Sequence, residues 1–171
     1  MLQLSIKIKD IAEAGEDLEV PFTRALLQDT LAGMDADLTA SRVTAHMNLS
    51  RVDDTISVRG TLAGEVVVPC ARCLKEAHVT VDVPLRITIG AEDLGAEESL
   101  EDEMDYFTHD GERIELEHVL REALILAVPM TAVCREGCKG LCTVCGGDKN
   151  ERDCDCKVPD PRLEALKNLK L

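Results

Sequence analysis

The sequence predicts an α+β fold built mainly on an antiparallel sheet, a meander or open barrel, with a few helices and a compact cysteine-rich tail. Three observations carry this. Four segments alternate apolar and polar residues with the period of two that half-buried strands require. Helical spacing is confined to a few short stretches. Six of the eight cysteines fall within the 23 residues 134–156.

In chain order, residues 1–10 alternate as a first strand, with Leu2, Leu4, Ile6 and Ile8 on one face. Residues 22–31 read as a short helix, with Pro21 at its start and Gly33 at its end. Val43, Ala45, Met47 and Leu49 line a second strand, and Thr44, His46 and Asn48 face away from them. Ile56, Val58, Leu62, Val66 and Val68 make a long third strand, where Gly60 and Gly64 suggest a bend or bulge. A fourth carries Val79, Val81, Val83, Leu85, Ile87 and Ile89, and Pro84 within it implies an edge or a break. Short connections at 52–55 and 70–77 make strands two to four an antiparallel meander. After an acidic loop at about 91–110, Leu116, Leu120, Ala123, Leu124 and Ala127 recur at helical spacing over 112–128, and Pro129 follows. Glu112, Glu115 and Glu117 suit the positive end of that helix. A last short helix is expected after Asp160-Pro161, carrying Leu163, Leu166 and Leu169; it is too short to stand alone in water.

A chain of 171 residues holds one ordinary domain and a small appendage, here a β-rich domain over 1–130 and a tail over 131–171. The longest apolar run, 123–130, is far short of a membrane span, so a soluble protein is expected. Without a hydrophobic signal segment at the start, the expected compartment is the cytoplasm, where thiols stay reduced. Aromatics are limited to Phe22, Tyr106 and Phe107, so the core must be aliphatic and few rings exist on which unpaired bases could stack. The net charge of −14 repels nucleic acid and favours basic partners. Thirteen acids against Arg113 and Arg121 concentrate that charge in 91–122, whereas eight bases nearly balance seven acids from Thr131 onward. The acidic run is either a solvated loop or a surface that receives a cationic protein.

The cysteines carry the chemistry. Cys134, Cys138, Cys142, Cys145, Cys154 and Cys156 sit among Gly and Lys, while Cys70 and Cys73 lie in the turn between strands three and four. Paired thiols at such spacings are metal ligands, because a tight turn points both sulfurs at one ion. A thioredoxin-like role for Cys70 and Cys73 lacks the helix N-terminus that would lower the first thiol's pKa. A zinc ribbon or knuckle is expected, closed and structural because every ligand is Cys, with one or two Zn2+ ions. Iron–sulfur ligation fits the Cys-x-Cys step less well. One pairing joins Cys142, Cys145, Cys154 and Cys156 and leaves Cys134 and Cys138 to meet Cys70 and Cys73. A rival joins Cys134 and Cys138 to Cys142 and Cys145. His46, His78, His109 and His118 are not expected as ligands, and no catalytic triad or phosphate loop stands out.

The strand–Cys70-Ala71-Arg72-Cys73-Leu74-Lys75–strand element resembles the YceD-like family, the large ribosomal RNA subunit accumulation proteins. So does the sequel Val128-Pro129-Met130, then Cys134 through Gly146, Asn150, Cys154-Asp155-Cys156 and Asp160 through Leu166. The resemblance implies a bacterial cytoplasmic factor, also represented in plastids, that sustains 23S ribosomal RNA, with no catalytic activity. Joined to the charge and the cysteines, it yields the expected function: a non-enzymatic assembly factor that binds a large-subunit precursor or a basic ribosomal protein. Direct RNA binding should be weak or absent. The alternatives are a metal-dependent ribonuclease acting on precursor 23S RNA, and a redox or zinc-storage protein. The missing basic face and the lack of an open metal position weigh against the first; thiols arranged as closed tetrads weigh against the second.

Overall fold

The structure, a computed structural model, describes residues 4–91 and 105–156 of the chain. Most of the acidic run and the expected C-terminal helix lie outside the described residues. Along the chain run β1 (Ser5–Lys7), a 3-10 turn (Ile8–Asp10), β2 (Glu16–Pro21), α1 (Arg24–Thr30), β3 (Arg42–Val52), β4 (Thr55–Pro69), β5 (Glu76–Ala91), β6 (Asp105–His109), β7 (Arg113–Glu115) and α2 (Leu116–Ala127). Five strands form one sheet in the order β2-β3-β4-β5-β6, and β1 pairs with β7 in a second, two-stranded sheet.

The expected meander is present: β3, β4 and β5 are successive antiparallel neighbours. Alternation places Val43, Ala45, Met47 and Leu49 on the buried face of β3, with fully buried Ile56, Val58, Leu62 and Val66 on β4 beside them. With so few aromatics, aliphatic side chains build the core, each contributing roughly 1.5–3 kcal/mol on full burial. Against the far part of this sheet, α2 lays Leu116, Val119, Leu120 and Leu124.

Several elements differ from expectation. The first strand is only three residues long, because the chain turns into the 3-10 segment at Ile8. β2 escaped the sequence reading: in Glu16–Pro21 charged residues fill the exposed positions of an edge strand, leaving Val20 as its buried residue. Pro21 closes this strand instead of opening a helix, and α1 is capped by Thr23, whose Oγ1 accepts from the Leu26 N–H at 3.3 Å. Part of the expected acidic loop is strand β6, which pairs with β5 in parallel, so the sheet is mixed. The long helix starts at Leu116, three residues after the chain has entered β7, and Leu116 N donates to Leu4 O. Pro84 is tolerated as its sequence suggests: β6 pairs with Ile87–Ala91 of β5, so among the described residues no strand pairs with β5 on that side at Pro84.

Gly60 and Gly64 make no bulge. The β3–β4 register runs one-to-one from Arg42 opposite Glu65 to Val52 opposite Thr55. The glycines are there because the two backbones approach closely: a Cβ on Gly60 would sit 2.1 Å from His46 O, and one on Gly64 2.1 Å from Arg42 O. Beyond the start of β3 the pairing is continued by a turn. Asp37 N donates to Val67 O at 2.8 Å, and the buried Ser41 hydroxyl accepts from Val67 N while donating to Asp37 O.

At the far end, His109 closes the sheet. Its Nδ1 accepts from Gly111 N at 3.0 Å, which leaves Nε2–H to donate to Asp54 O at 2.8 Å. Gly60→Ala should therefore cost about 2–3 kcal/mol through forced strand separation, read as a lower urea midpoint. Gly137→Ala is the control: nothing lies within 4 Å of the added carbon, and stability should stay within about 0.5 kcal/mol.

Candidate metal centres at the hairpin and the tail

The β4–β5 hairpin ends in a tight turn. Cys70 N donates to Lys75 O at 2.7 Å, Leu74 N donates back to Cys70 O at 2.9 Å, and Arg72 N points at Cys70 Sγ from 3.4 Å. A second turn in the tail repeats this geometry. Gly146 N donates to Cys142 O at 2.9 Å, and Val144 N points at Cys142 Sγ from 3.5 Å. Both turns pass through a left-handed residue directly after the second cysteine, Leu74 at φ 62° and Gly146 at φ 67°. Glycine meets that requirement freely, whereas for a leucine the same conformation costs roughly 1–2 kcal/mol.

After α2, Pro129 directs the chain along the hairpin end. Ala71 N donates to Ala132 O at 2.8 Å, and Leu141 N to Arg72 O at 3.0 Å. The Arg72 guanidinium reaches over the tail, donating to Cys138 O at 3.0 Å and to Glu136 O at 3.4 Å. These contacts bring together thiols that are more than sixty residues apart. Cys70, Cys73, Cys134 and Cys138 form one group and Cys142, Cys145, Cys154 and Cys156 another, with the four sulfurs of each group within 4.8 Å of one another. Of the two pairings open in the sequence, the structure assembles the first; Cys134 and Cys138 meet the hairpin and not Cys142 and Cys145.

The distances are diagnostic. Cys70 Sγ lies 3.9 Å from Cys138 Sγ, and Cys73 Sγ 3.7 Å from Cys134 Sγ. A disulfide needs about 2.0 Å. A tetrahedral ion with metal–sulfur bonds of about 2.3 Å needs its sulfurs roughly 3.8 Å apart. Both groups are compatible with metal binding. They differ in surroundings: Cys70, Cys73 and Cys138 are buried and continuous with the hydrophobic core, whereas in the tail group only Cys142 is buried.

The electrostatics match a ligand set. Backbone N–H groups of Cys134, Arg72 and Cys73 aimed at Cys70 pull its thiol down to about 6. Those of Cys145 and Val144 do the same for Cys142, also to about 6. Local desolvation of its sulfur and the adjoining Cys73, Cys138 and Cys70 thiols push Cys134 up to about 12, although the residue as a whole is exposed, and the Cys145 sulfur pushes Cys156 up to about 12. Within each group the thiols are thus in conflict: Cys70 and Cys138 are pulled down while Cys73 and Cys134 are pushed up, and Cys142 is pulled down while Cys154 and Cys156 are pushed up. A cation among the four removes that conflict, since it stabilises every thiolate at once. Four sulfurs also fill four tetrahedral positions, which leaves no corner for water or substrate.

The histidines lie elsewhere. His78 Nδ1 sits 2.9 Å from Glu65, which raises its pKa, and His46 and His118 are exposed beside Glu19 and Glu122. Sequence reasoning gave no role to the groups that brace the thiols. Lys75 Nζ pairs with Asp148 at 2.8 Å and with Glu151, joining the hairpin to the tail. Asn150 Nδ2 donates to Cys138 Sγ at 3.5 Å. No spacing rule marks such residues; their only signal was to be polar side chains lying beside or between ligand pairs.

Residues 58–170 match the model of the family described as large ribosomal RNA subunit accumulation protein YceD. An uncharacterized protein of Mycobacterium tuberculosis (strain ATCC 25618 / H37Rv) is 34% identical over 100 residues, covering 58% of this chain and 48% of its own. One of Mycobacterium leprae is 28% identical over 104 residues, covering 61% of this chain and 48% of the relative. The Arabidopsis thaliana protein named large ribosomal RNA subunit accumulation protein YCED homolog 1, chloroplastic, is 35% identical over 51 residues, 30% of this chain and 16% of the relative. The chain spans about half the length of the mycobacterial relatives it matches. No solved structure matches it. The match over residues 58–170 takes in all eight cysteines and most of the chain, and on it the protein belongs to the YceD family of large ribosomal RNA subunit accumulation proteins.

Proposed function

We propose that this chain is a non-enzymatic factor that supports accumulation of 23S ribosomal RNA by binding a basic large-subunit protein or the assembling large-subunit particle, in the bacterial cytoplasm. The observation that carries this reading is the closed character of both thiol groups: each offers four sulfurs to one ion, a shape-making centre and not a reactive one. The ion is Zn2+, which all-thiolate tetrahedral sites suit. A net charge of −14 and the near absence of aromatics support a protein partner over bare RNA. Among the described residues no helix is long and apolar enough to cross a membrane. The family's name supports the ribosomal setting.

Metal content is the first test. The purified chain should carry two zinc ions, one for each thiol group, and replacing Cys142 and Cys145 with Ser should leave about one. Acid should release the metal, because protons compete for each thiolate; zinc release followed during acidification should rise as pH falls below neutrality. A protein that keeps its tail folded with no metal at all defeats the zinc reading.

Partner capture from lysate, with and without RNase, tests the rest. Recovery of a basic large-subunit protein that resists RNase is the expected result. Neutralising Glu97, Glu98, Glu101, Asp102 and Glu103 to Gln or Asn should slow association and flatten its salt dependence, since exposed charges act within about 8 Å at physiological salt. Recovery of precursor RNA alone, lost with RNase, points instead to direct RNA binding.

A further inference from the structure

We propose that Asn150 is a positioning residue that makes the two thiol centres interdependent: closure of the tail centre sets Asn150 against Cys138 and so completes the hairpin centre. The inference rests on the metal reading above. Asn150 lies in the stretch between Cys145 and Cys154, both members of the tail group, yet its side chain is spent on the hairpin group. Its Nδ2 donates to Cys138 Sγ at 3.5 Å and to Asp148 Oδ1 at 2.7 Å. Its Oδ1 accepts from Lys139 N and from Arg135 Nη2, each at 2.9 Å. Two donors and two acceptors are all that an Asn side chain offers, so the amide orientation is fixed by its partners.

The contacts have one purpose in common. Arg135 follows Cys134 and Lys139 follows Cys138, so Asn150 grips the Cys134–Cys138 loop on both arms and touches the sulfur between them. Asn150 is held in turn by Asp148, whose Oδ1 also accepts Asn150 N at 2.8 Å, and Asp148 is anchored by Lys75, two residues after Cys73. Lys149 N to Gly140 O, at 2.9 Å, and the bridge between Leu141 and Asp148 fold this loop back onto the chain between the two centres. Its first end is also held by Cys142 N, which donates to Gly147 O at 2.8 Å, and an ion shared by Cys145 and Cys154 would close it at the far end as well. Removing that ion loosens the loop beyond Asp148, and with it the N–H that steadies Cys138. Partners of this kind typically contribute 10–100-fold to metal affinity, and coupling between two sites is reciprocal.

Co2+ titration of the metal-free full chain tests this, with the thiolate charge-transfer band as readout. Cys142→Ser with Cys145→Ser isolates the hairpin centre, and Cys70→Ser with Cys73→Ser isolates the tail centre. With the tail centre deleted, the hairpin centre should bind Co2+ at least about 10-fold more weakly than in the wild type. Asn150→Ala should weaken the hairpin centre by a similar factor while leaving the isolated tail centre within about twofold of its own affinity. Combined with Cys142→Ser and Cys145→Ser, Asn150→Ala should cost nothing further, the non-additivity of a shared path. Asn150→Asp keeps the size and the Arg135 contact but turns an oxygen toward the sulfur; it guards against misfolding of the alanine variant and should weaken the hairpin centre at least as much. Wild-type affinity at the hairpin centre in both Asn150 variants overturns the coupling and leaves the metal reading intact. A wild-type chain that takes up neither Co2+ nor Zn2+ overturns both.

Discussion

Four thiols from two distant parts of the chain meet within 4.8 Å of one another at the end of the β4–β5 hairpin, two pairs of them at 3.9 and 3.7 Å, and the rest of the molecule is arranged so that they can. Cys70 is separated from Cys138 by 68 positions and Cys73 from Cys134 by 61. Closing a loop of that size costs entropy that grows only slowly with length, so a long excursion is no obstacle once a strong contact waits at its end. The excursion is β5, β6, β7 and α2, which together bring the chain back across the sheet. Pro129 then stops the helix, and Ala132 takes the hairpin's Ala71 N–H. Three of the four sulfurs are buried with the core, so the clip is continuous with the aliphatic packing. Bare buried thiols could pack as small hydrophobes; two pairs converging at tetrahedral spacing are also compatible with an ion.

The brace around this clip is insensitive to pH where the clip itself is not. Lys75 holds the Asp148 carboxyl down to about 2, so Asp148's contribution is present above the ordinary carboxylate range and is lost only as pH falls through about 2. Asp148 and Glu151 raise Lys75, whose contribution is present below the ordinary ammonium range and lost only well above it. Between these limits the hairpin and the tail remain tied by charge. Were the proposed ion bound, proton competition at the thiolates would remove it while the Lys75–Asp148 pair is still formed, and the two events would be separable on a pH axis.

What was legible in the sequence was what is repeated locally. Period-two alternation located β3, β4 and β5, because one face of each is packed on the core and the other is not. The cysteine spacing located the ligands, because a knuckle is a local turn. The edge elements were not legible. β2 buries little more than Val20, so its pattern is that of a charged loop, and β6 follows an acidic run that hides its start. β7 was absorbed into the helix because Ile114 suits either element. Gly60 and Gly64 suggest a bend or bulge in the sequence, which cannot tell a bulge from two backbones passing too close for a Cβ. At the site, spacing left two pairings open. Tertiary contacts chose between them, chiefly Arg72 over Cys138 and the Ala71–Ala132 bond, and these join residues with no fixed separation.

The strained residue in the hairpin turn shows how the two centres divide their tasks. The turns at Cys70 and Cys142 are nearly the same object, yet one uses Gly146 at the left-handed position and the other an exposed Leu74. The tail turn is lightly packed, with one buried sulfur, and is best served by the residue that adopts the conformation freely. The hairpin turn is held at its base by the Cys70–Lys75 bond, flanked by two long strands and covered by Arg72, so the surrounding structure can enforce a conformation that leucine resists. The hairpin group is the more deeply buried of the two, and the family match, from residue 58 to 170, begins within β4 and spans both.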